Sequence, residues 1–245
     1  MKANVKTFLD ELKQVSDTNT VSIKVPSTNK KSIFKQFNVT QQKQLLRSIF
    51  NGVEGSINSG SIFNNIVKDN CEDDIEFLVC DRSAILIDLR KATIGNMFTI
   101  EDTKYDLSTL KPYNIKNVDL EKRIKVDGIE MLAKIPTLTL DSKINSKMVA
   151  EFSKLTDDQK QVQSIELVLI HEIIKYTDNI KIGEVVVNFE DISVYERVSI
   201  VNELPLALNN KIIDYITTTK KVEEEALTFD DGKIVEIDAG FLAAD

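Results

Sequence analysis

The chain has 245 residues, 42% of them hydrophobic and 29% charged, with a formal net charge of −8. It is long enough to bury a sizeable core as one large domain or two small ones, and its acidic balance argues against nonspecific binding to nucleic acid or to a membrane surface, both of which require a cationic face. Two cysteines supply no disulfide framework, eight glycines and four prolines leave little room for long structureless stretches, and no apolar run approaches the roughly 18 residues of a membrane span.

Val5, Phe8, Leu9, Leu12 and Val15 recur at helical spacing, so residues 3–16 read as an amphipathic helix. Acids interrupt its apolar stretch, which excludes a secretory signal and places synthesis in a reducing, intracellular setting. Polar residues 16–20 detach it. Val21–Val25 alternates as a strand, Pro26–Lys30 is turn chemistry and Ser32–Phe37 returns as a second strand. Asn38 with Gln41 forms a capping-box pattern that opens a helix carrying Leu45, Leu46, Ile49 and Phe50. Gly52, Gly55 and Gly60 read as a loop, and Ile62, Phe63, Ile66 and Val67 as a helix ending near Asp69.

Asp74–Arg90 is the most apolar stretch and reads as a buried helix, or two, closed by Gly95. Strands follow near Met97–Ile100, Ile124–Val126 and Met131–Ile135, with a hairpin turn at Asp127-Gly128. Met148, Val149, Phe152 and Leu155 make a helix. The capping box Thr156–Gln159 opens a longer one whose inward face is Val162, Ile165, Leu169 and Ile173. Strands surround Gly183, and the capping box Ser193–Glu196 opens a helix that stops at Leu204-Pro205. Leu208, Ile212 and Ile216 line the last helix, and residues 226–237 form a terminal hairpin turning at Asp230-Asp231-Gly232. The class is α+β: helices packed with several short antiparallel β-hairpins and no βαβ parallel sheet. The expected division is an amino-terminal helical extension (1–20), a hairpin-plus-helices domain (21–140) and a helical domain with a terminal β-hairpin (141–245).

Charge is uneven. Residues 1–50 hold nine Lys/Arg against three Asp/Glu, or +6, and residues 221–245 hold two against eight, or −6. The two ends either pair within one fold, are solvated, or form a polar docking surface.

Residue chemistry shows no active site. His171 is the sole histidine, and in His171-Glu172-Ile-Ile-Lys175 a lysine stands where a zincin needs its second ligand. A helix projection puts His171 and Lys175 opposite the apolar face, in solvent. Cys71 and Cys80 lack partners for a tetrahedral metal set, and Cys80, in the run Phe77-Leu-Val, reads as a small buried thiol. Gly52-Val-Glu-Gly55 lacks the Gly-Lys-Ser/Thr end of a phosphate loop. The acid clusters Glu72-Asp73-Asp74, Asp157-Asp158 and Glu223-Glu224-Glu225 sit at helix starts or on polar faces, and Asp230-Asp231 in a turn, where carboxylates are favoured without any ligand. No catalytic, cofactor-binding or metal-binding residue is assigned.

One ordered series of motifs is more informative. It comprises the early hairpin, Phe34-Lys-Gln-Phe-Asn-Val-Thr-Gln-Gln-Lys-Gln-Leu-Leu46, the apolar segment from Asp81-Arg82 through Ile85 to Leu89-Arg90, Gly95, Leu204-Pro205-Leu206, Ile212-Ile213-Asp214-Tyr215-Ile216 and Ile237-Asp238-Ala239. Over residues 21–245 this resembles the baseplate hub assembly proteins of T-even-like contractile-tailed phages. The resemblance implies a non-enzymatic protein without cofactors that forms or assembles the central hub through protein–protein contacts. Its partners would be other hub or tail proteins or the tape-measure protein, with an oligomer compatible and neither nucleic acid nor membrane involved. It implies host cytoplasm during assembly and the tail baseplate of the virion as locations. A tail assembly chaperone absent from the finished virion is equally compatible. A Mg²⁺-dependent carboxylate enzyme and a nucleic-acid adaptor using the basic amino end are the rivals. A two-stranded hairpin is marginal alone, so the terminal one packs on the chain's own helices or on a partner, and Leu227, Phe229, Ile234, Ile237 and Phe241 are the expected contacts.

Overall fold

Short antiparallel hairpins alternate with longer helices along the chain, and no parallel strand pairing occurs among the described residues. The computed structural model describes residues 7–8, 19–49, 52–238 and 240–242. Most of the helix expected over 3–16, and Phe50, lie outside them.

Strands β1 (Thr20–Val25) and β2 (Lys30–Lys35) pair from Thr20 with Lys35 to Val25 with Lys30. Their alternation buries Ile23, Val25 and Phe34. Helix α1 (Val39–Ile49) opens on the expected box: Asn38 Oδ1 accepts from the N–H groups of Thr40 and Gln41 at 2.9 and 3.1 Å, and Gln41 Oε1 accepts from Asn38 N–H at 3.0 Å.

The glycines that read as a loop instead lie inside helix α2 (Gly52–Asn70). A glycine in a helix costs about 1 kcal/mol relative to alanine. Here that is outweighed by tertiary burial, because α2 packs along both α1 and α4 (Leu138–Phe152) and buries Phe63, Ile66 and Val67. Gly60 lies against α4, where an added Cβ would stand 3.5 Å from Asn145 Nδ2.

The apolar stretch that read as a helix from Asp74 is helical only from Val79, in α3 (Val79–Thr93). The chain before it is laced to the start of α4: Leu138 N–H donates to Phe77 O and Val79 N–H to Pro136 O, both at 2.9 Å. Asp81 is fully buried in the first turn of α3. Its carboxylate accepts from Leu78 N–H at 2.9 Å and from both the N–H and the hydroxyl of Ser27 at 2.7 Å, so it joins the β1–β2 turn to α3. Gly95, at φ 127°, closes the helix.

After the hairpin β3 (Met97–Ile100) and β4 (Thr103–Asp106) comes a four-stranded antiparallel sheet in sequence order. Its strands are β5 (Glu121–Val126), β6 (Ile129–Lys134), β7 (Thr177–Ile182) and β8 (Val185–Asn188). Asp127 and Gly128 both have positive φ, 48° and 81°, as a tight hairpin turn requires. Helices α4 and α5 (Asp157–Tyr176) lie between β6 and β7; α6 (Val194–Glu203) and α7 (Leu206–Ala226) follow β8, separated by Pro205.

Two apolar clusters result. One gathers residues of β1, β2 and α1–α3 with Leu107, Leu138 and, from the far end of the chain, Phe229, Val235, Phe241 and Leu242. The other gathers strands β5–β7 and Phe189 with α4–α7.

Candidate functional site

The most charged part of the interior lies where α2, α3, α4, α5 and α7 meet, around a cavity of about 330 Å³. Asp141 of α4 is at its centre. Its Oδ1 accepts from Lys175 Nζ of α5 at 2.9 Å, and its Oδ2 accepts from Asn64 Nδ2 of α2 at 2.8 Å and from Asn145 Nδ2 at 3.0 Å. Arg82 of α3 reaches the same carboxylate at 3.6 Å and donates to Asn64 Oδ1 at 3.1 Å. Lys175 also donates to Glu172 Oε1 at 2.8 Å, and the other oxygen of Glu172 accepts from Lys220 of α7 at 2.6 Å. Ser83 and Glu223 are hydrogen-bonded at the same junction.

Burial would raise the Glu172 carboxyl, but Lys175 and Lys220 outweigh it and hold it at about 2. Burial lowers the Lys175 ammonium, and Glu172 and Asp141 more than restore it, leaving it raised. Each buried charge thus has an opposite charge in contact, which is the condition for burying charge at all. The arrangement ties five helices together. It presents no activated thiol among the described residues: Cys80 is buried, and its thiol is pushed up by desolvation and then by Asp81 and Glu223. No three His, Cys, Asp or Glu among the described residues come together as a metal set.

Helix α5 departs from the sequence expectation over its middle turns, although Ile173 is buried as expected. His171, expected in solvent, is fully buried, its Nδ1 2.8 Å from Leu167 O and its Nε2 3.3 Å from Glu151. Desolvation lowers its pKa. Lys175 is buried beside it, whereas Ile165, on the expected inward face, is 79% exposed and Leu169 42%. The reason is compositional. Leu167 to Ile174 is apolar nearly all round, so periodicity cannot select a face, and the buried acid Asp141 draws Lys175 inward. An acid at an expected domain boundary and a base on an expected helix gave no signal of their pairing without the fold.

Ile165, Val168 and Leu169 form one wall of a groove of about 500 Å³, and Ile213, Ile216 and Thr217 of α7 form the other. The Glu172–Lys220 ion pair closes the end nearest the polar cavity and lines both spaces.

The five carboxyl-terminal residues expected at a contact divide. Phe229 and Phe241 are buried in the first core, Leu227 and Ile237 pack partly against it, and Ile234 is 40% exposed at the rim of the polar cavity. Tyr105 stacks on Phe229 at 4.6 Å between ring centroids, and the Arg90 guanidinium lies over Phe98 and Phe241 at 5.0 and 5.6 Å. The acids of the turn bond to the β3–β4 region, Asp231 accepting from the Tyr105 hydroxyl at 2.9 Å and Asp230 standing 3.9 Å from Lys111.

Interlocked helices, a buried cluster of paired charges and an open apolar groove are what this part of the molecule presents. Residues 18–226 match the family model described as T4 bacteriophage base plate protein, and the chain belongs to that family. Comparison with curated proteins and with solved structures gives no match. The chain is a phage baseplate protein, and its partners are other tail and baseplate proteins. No helix among the described residues is long and apolar enough to cross a membrane.

Proposed function

We propose that this baseplate protein acts without catalysis in the central hub, forming or assembling it through protein–protein contacts made in the host cytoplasm. One observation carries the reading: α5 turns its charged side inward and leaves Ile165, Val168 and Leu169 in solvent. A monomer gains nothing from exposing three adjacent aliphatic side chains beside a groove, and such a patch marks a contact surface. Ile234, exposed at the rim of the polar cavity, is a second point of contact in the same reading, with Leu227 and Ile237 partly buried against the first core.

The test is a phage carrying Ile165→Ser and Leu169→Ser. Central interface residues of this kind contribute about 2 kcal/mol each to binding, so the variant protein should accumulate folded while complete tails are lost. Normal tail counts would remove the groove from the contact surface. Protein analysis of purified tails separates a hub component, present in the particle, from an assembly factor that leaves before completion.

A further inference from the structure

We infer that the groove between α5 and α7 receives an amphipathic helix with basic flanks from another tail protein; this deepens the contact-surface reading and rests on it. Glu172 stands beside Lys220, and Ile165, Val168 and Leu169 of α5 line one space with Ile213, Ile216 and Thr217 of α7, so two ridges border an apolar trough. A third helix, laying a row of side chains spaced i, i+3, i+4 and i+7 into that trough, is the shape such ridges accept.

Charge decides what kind of helix. Glu166 and Asp214, next in sequence to Ile165 and Ile213, are exposed and have no ion-pair partner among the described residues, and Glu224 is exposed beyond the Lys220 end. The lysine that lines the trough, Lys220, is already neutralised by Glu172 at 2.6 Å. Lys221, exposed next to Lys220 and also without an ion-pair partner among the described residues, offsets one of these three carboxylates, so the trough is apolar with borders that are anionic on balance. A second copy of this chain would bring the same carboxylates to face one another, on a molecule of net charge −8, and like charges across an interface select against a partner. Lysine or arginine beside an apolar stripe satisfies both features at once.

The test uses the full chain and two synthetic 16-residue helical peptides with leucines at i, i+3, i+4 and i+7, one flanked by lysines and its twin by glutamates. Fluorescence anisotropy at low salt should show the lysine peptide binding at least about tenfold more tightly than the twin, with the preference shrinking as salt rises. Leu169→Asp should abolish binding, and the double variant Glu166→Lys, Asp214→Lys, two surface changes that leave the core untouched, should invert the preference. Binding of neither peptide, or equal binding of both, overturns the inference. So does a dimer in sedimentation that Leu169→Asp dissolves, which makes a second copy the occupant. Binding seen only after residues 1–18 are removed also overturns it, because the chain's own amino-terminal segment then fills the groove. If neither peptide binds while the Ile165→Ser, Leu169→Ser phage still lacks tails, the basic helix is wrong and the contact surface stands; normal tails with that phage remove the surface itself.

Discussion

Lys175 Nζ stands 2.9 Å from Asp141 Oδ1, with both side chains more than nine-tenths buried, and this pair joins α5 to α4 at the centre of the molecule. Two charges taken from water are not a strong source of net stability, but removing one leaves the other buried and uncompensated. Lys175→Met should therefore destabilise by about 3–5 kcal/mol. A double variant with Asp141→Leu should recover part of that loss, giving a coupling energy of about 1–3 kcal/mol in urea denaturation. Strict additivity of the two single changes would show that the pair does not act as a unit.

Local grammar was legible in the sequence and global orientation was not. The boxes at Asn38, Thr156 and Ser193, the turn at Asp127-Gly128 and the break at Pro205 are each written in adjacent residues, and each forms as read. The second half of α2 was read as a helix, but its first half was hidden because glycine's intrinsic preference is weak against the burial of Phe63, Ile66 and Val67. The extended residues before Val79 were hidden because their hydrogen bonds go to residues 136–138, some 60 positions away. The site suffered most. A lysine and a histidine four apart on a helix ordinarily mark the wet side, and only the acid contributed by α4 makes the interior the better place for the lysine.

Glu172 gives the fold an acid limit. Its folded carboxyl lies at about 2, below the ordinary value of 4.5, so the unfolded chain binds its proton first as pH falls. The stabilisation is present above about pH 4.5 and is lost progressively toward pH 2, amounting to about 3 kcal/mol in all. Glu172→Gln should lower stability at pH 7 by a comparable amount and flatten the dependence between pH 4.5 and 2. An unchanged acid limb in chemical denaturation would assign the dependence elsewhere.

His171 is the single histidine of the chain, so its ring signals report one site. Burial favours the neutral ring, and although Glu151 and Glu172 pull toward the charged form, Lys175 opposes them and the net shift is downward. The unfolded chain then takes up a proton near pH 6.5 before the folded one does, so His171 removes stability as pH falls below about 6.5. Proton–carbon NMR should show a titration midpoint below the free-histidine value. A midpoint at or above it would mean that the Glu151 contact governs the ring.

Cys80 is buried, and desolvation pushes its thiol up, so native protein should resist alkylation there while unfolded protein reacts freely. Cys80→Ala should lower stability by about 1 kcal/mol, the scale of a small deletion in a packed interior. Rapid labelling of native Cys80 would place the thiol at the surface and undo the argument.

The carboxyl-terminal segment separates two roles within a few residues. Phe241 is fully buried, meets the edge of the Phe98 ring at 5.4 Å between centroids and lies under the Arg90 guanidinium, while Gln42 of α1 donates to Leu242 O at 3.1 Å. The acidic end of the chain is thus drawn across the first core by its aromatic residues, and its carboxylates remain on the outside. Phe241→Ala should cost about 3–5 kcal/mol, as deletion of a buried ring does. Truncation after Ala226 removes Phe229, Val235 and Leu242 as well and should leave the first core unable to close. Ile234→Ser, at a site 40% exposed, should shift stability by no more than about 0.5 kcal/mol and act on tail assembly alone. Thermal unfolding of the three variants together with tail counts distinguishes the roles. A truncated protein that melts like the full chain would make the segment a contact arm and not a part of the core; an Ile234→Ser phage that forms normal tails would confine it to the core.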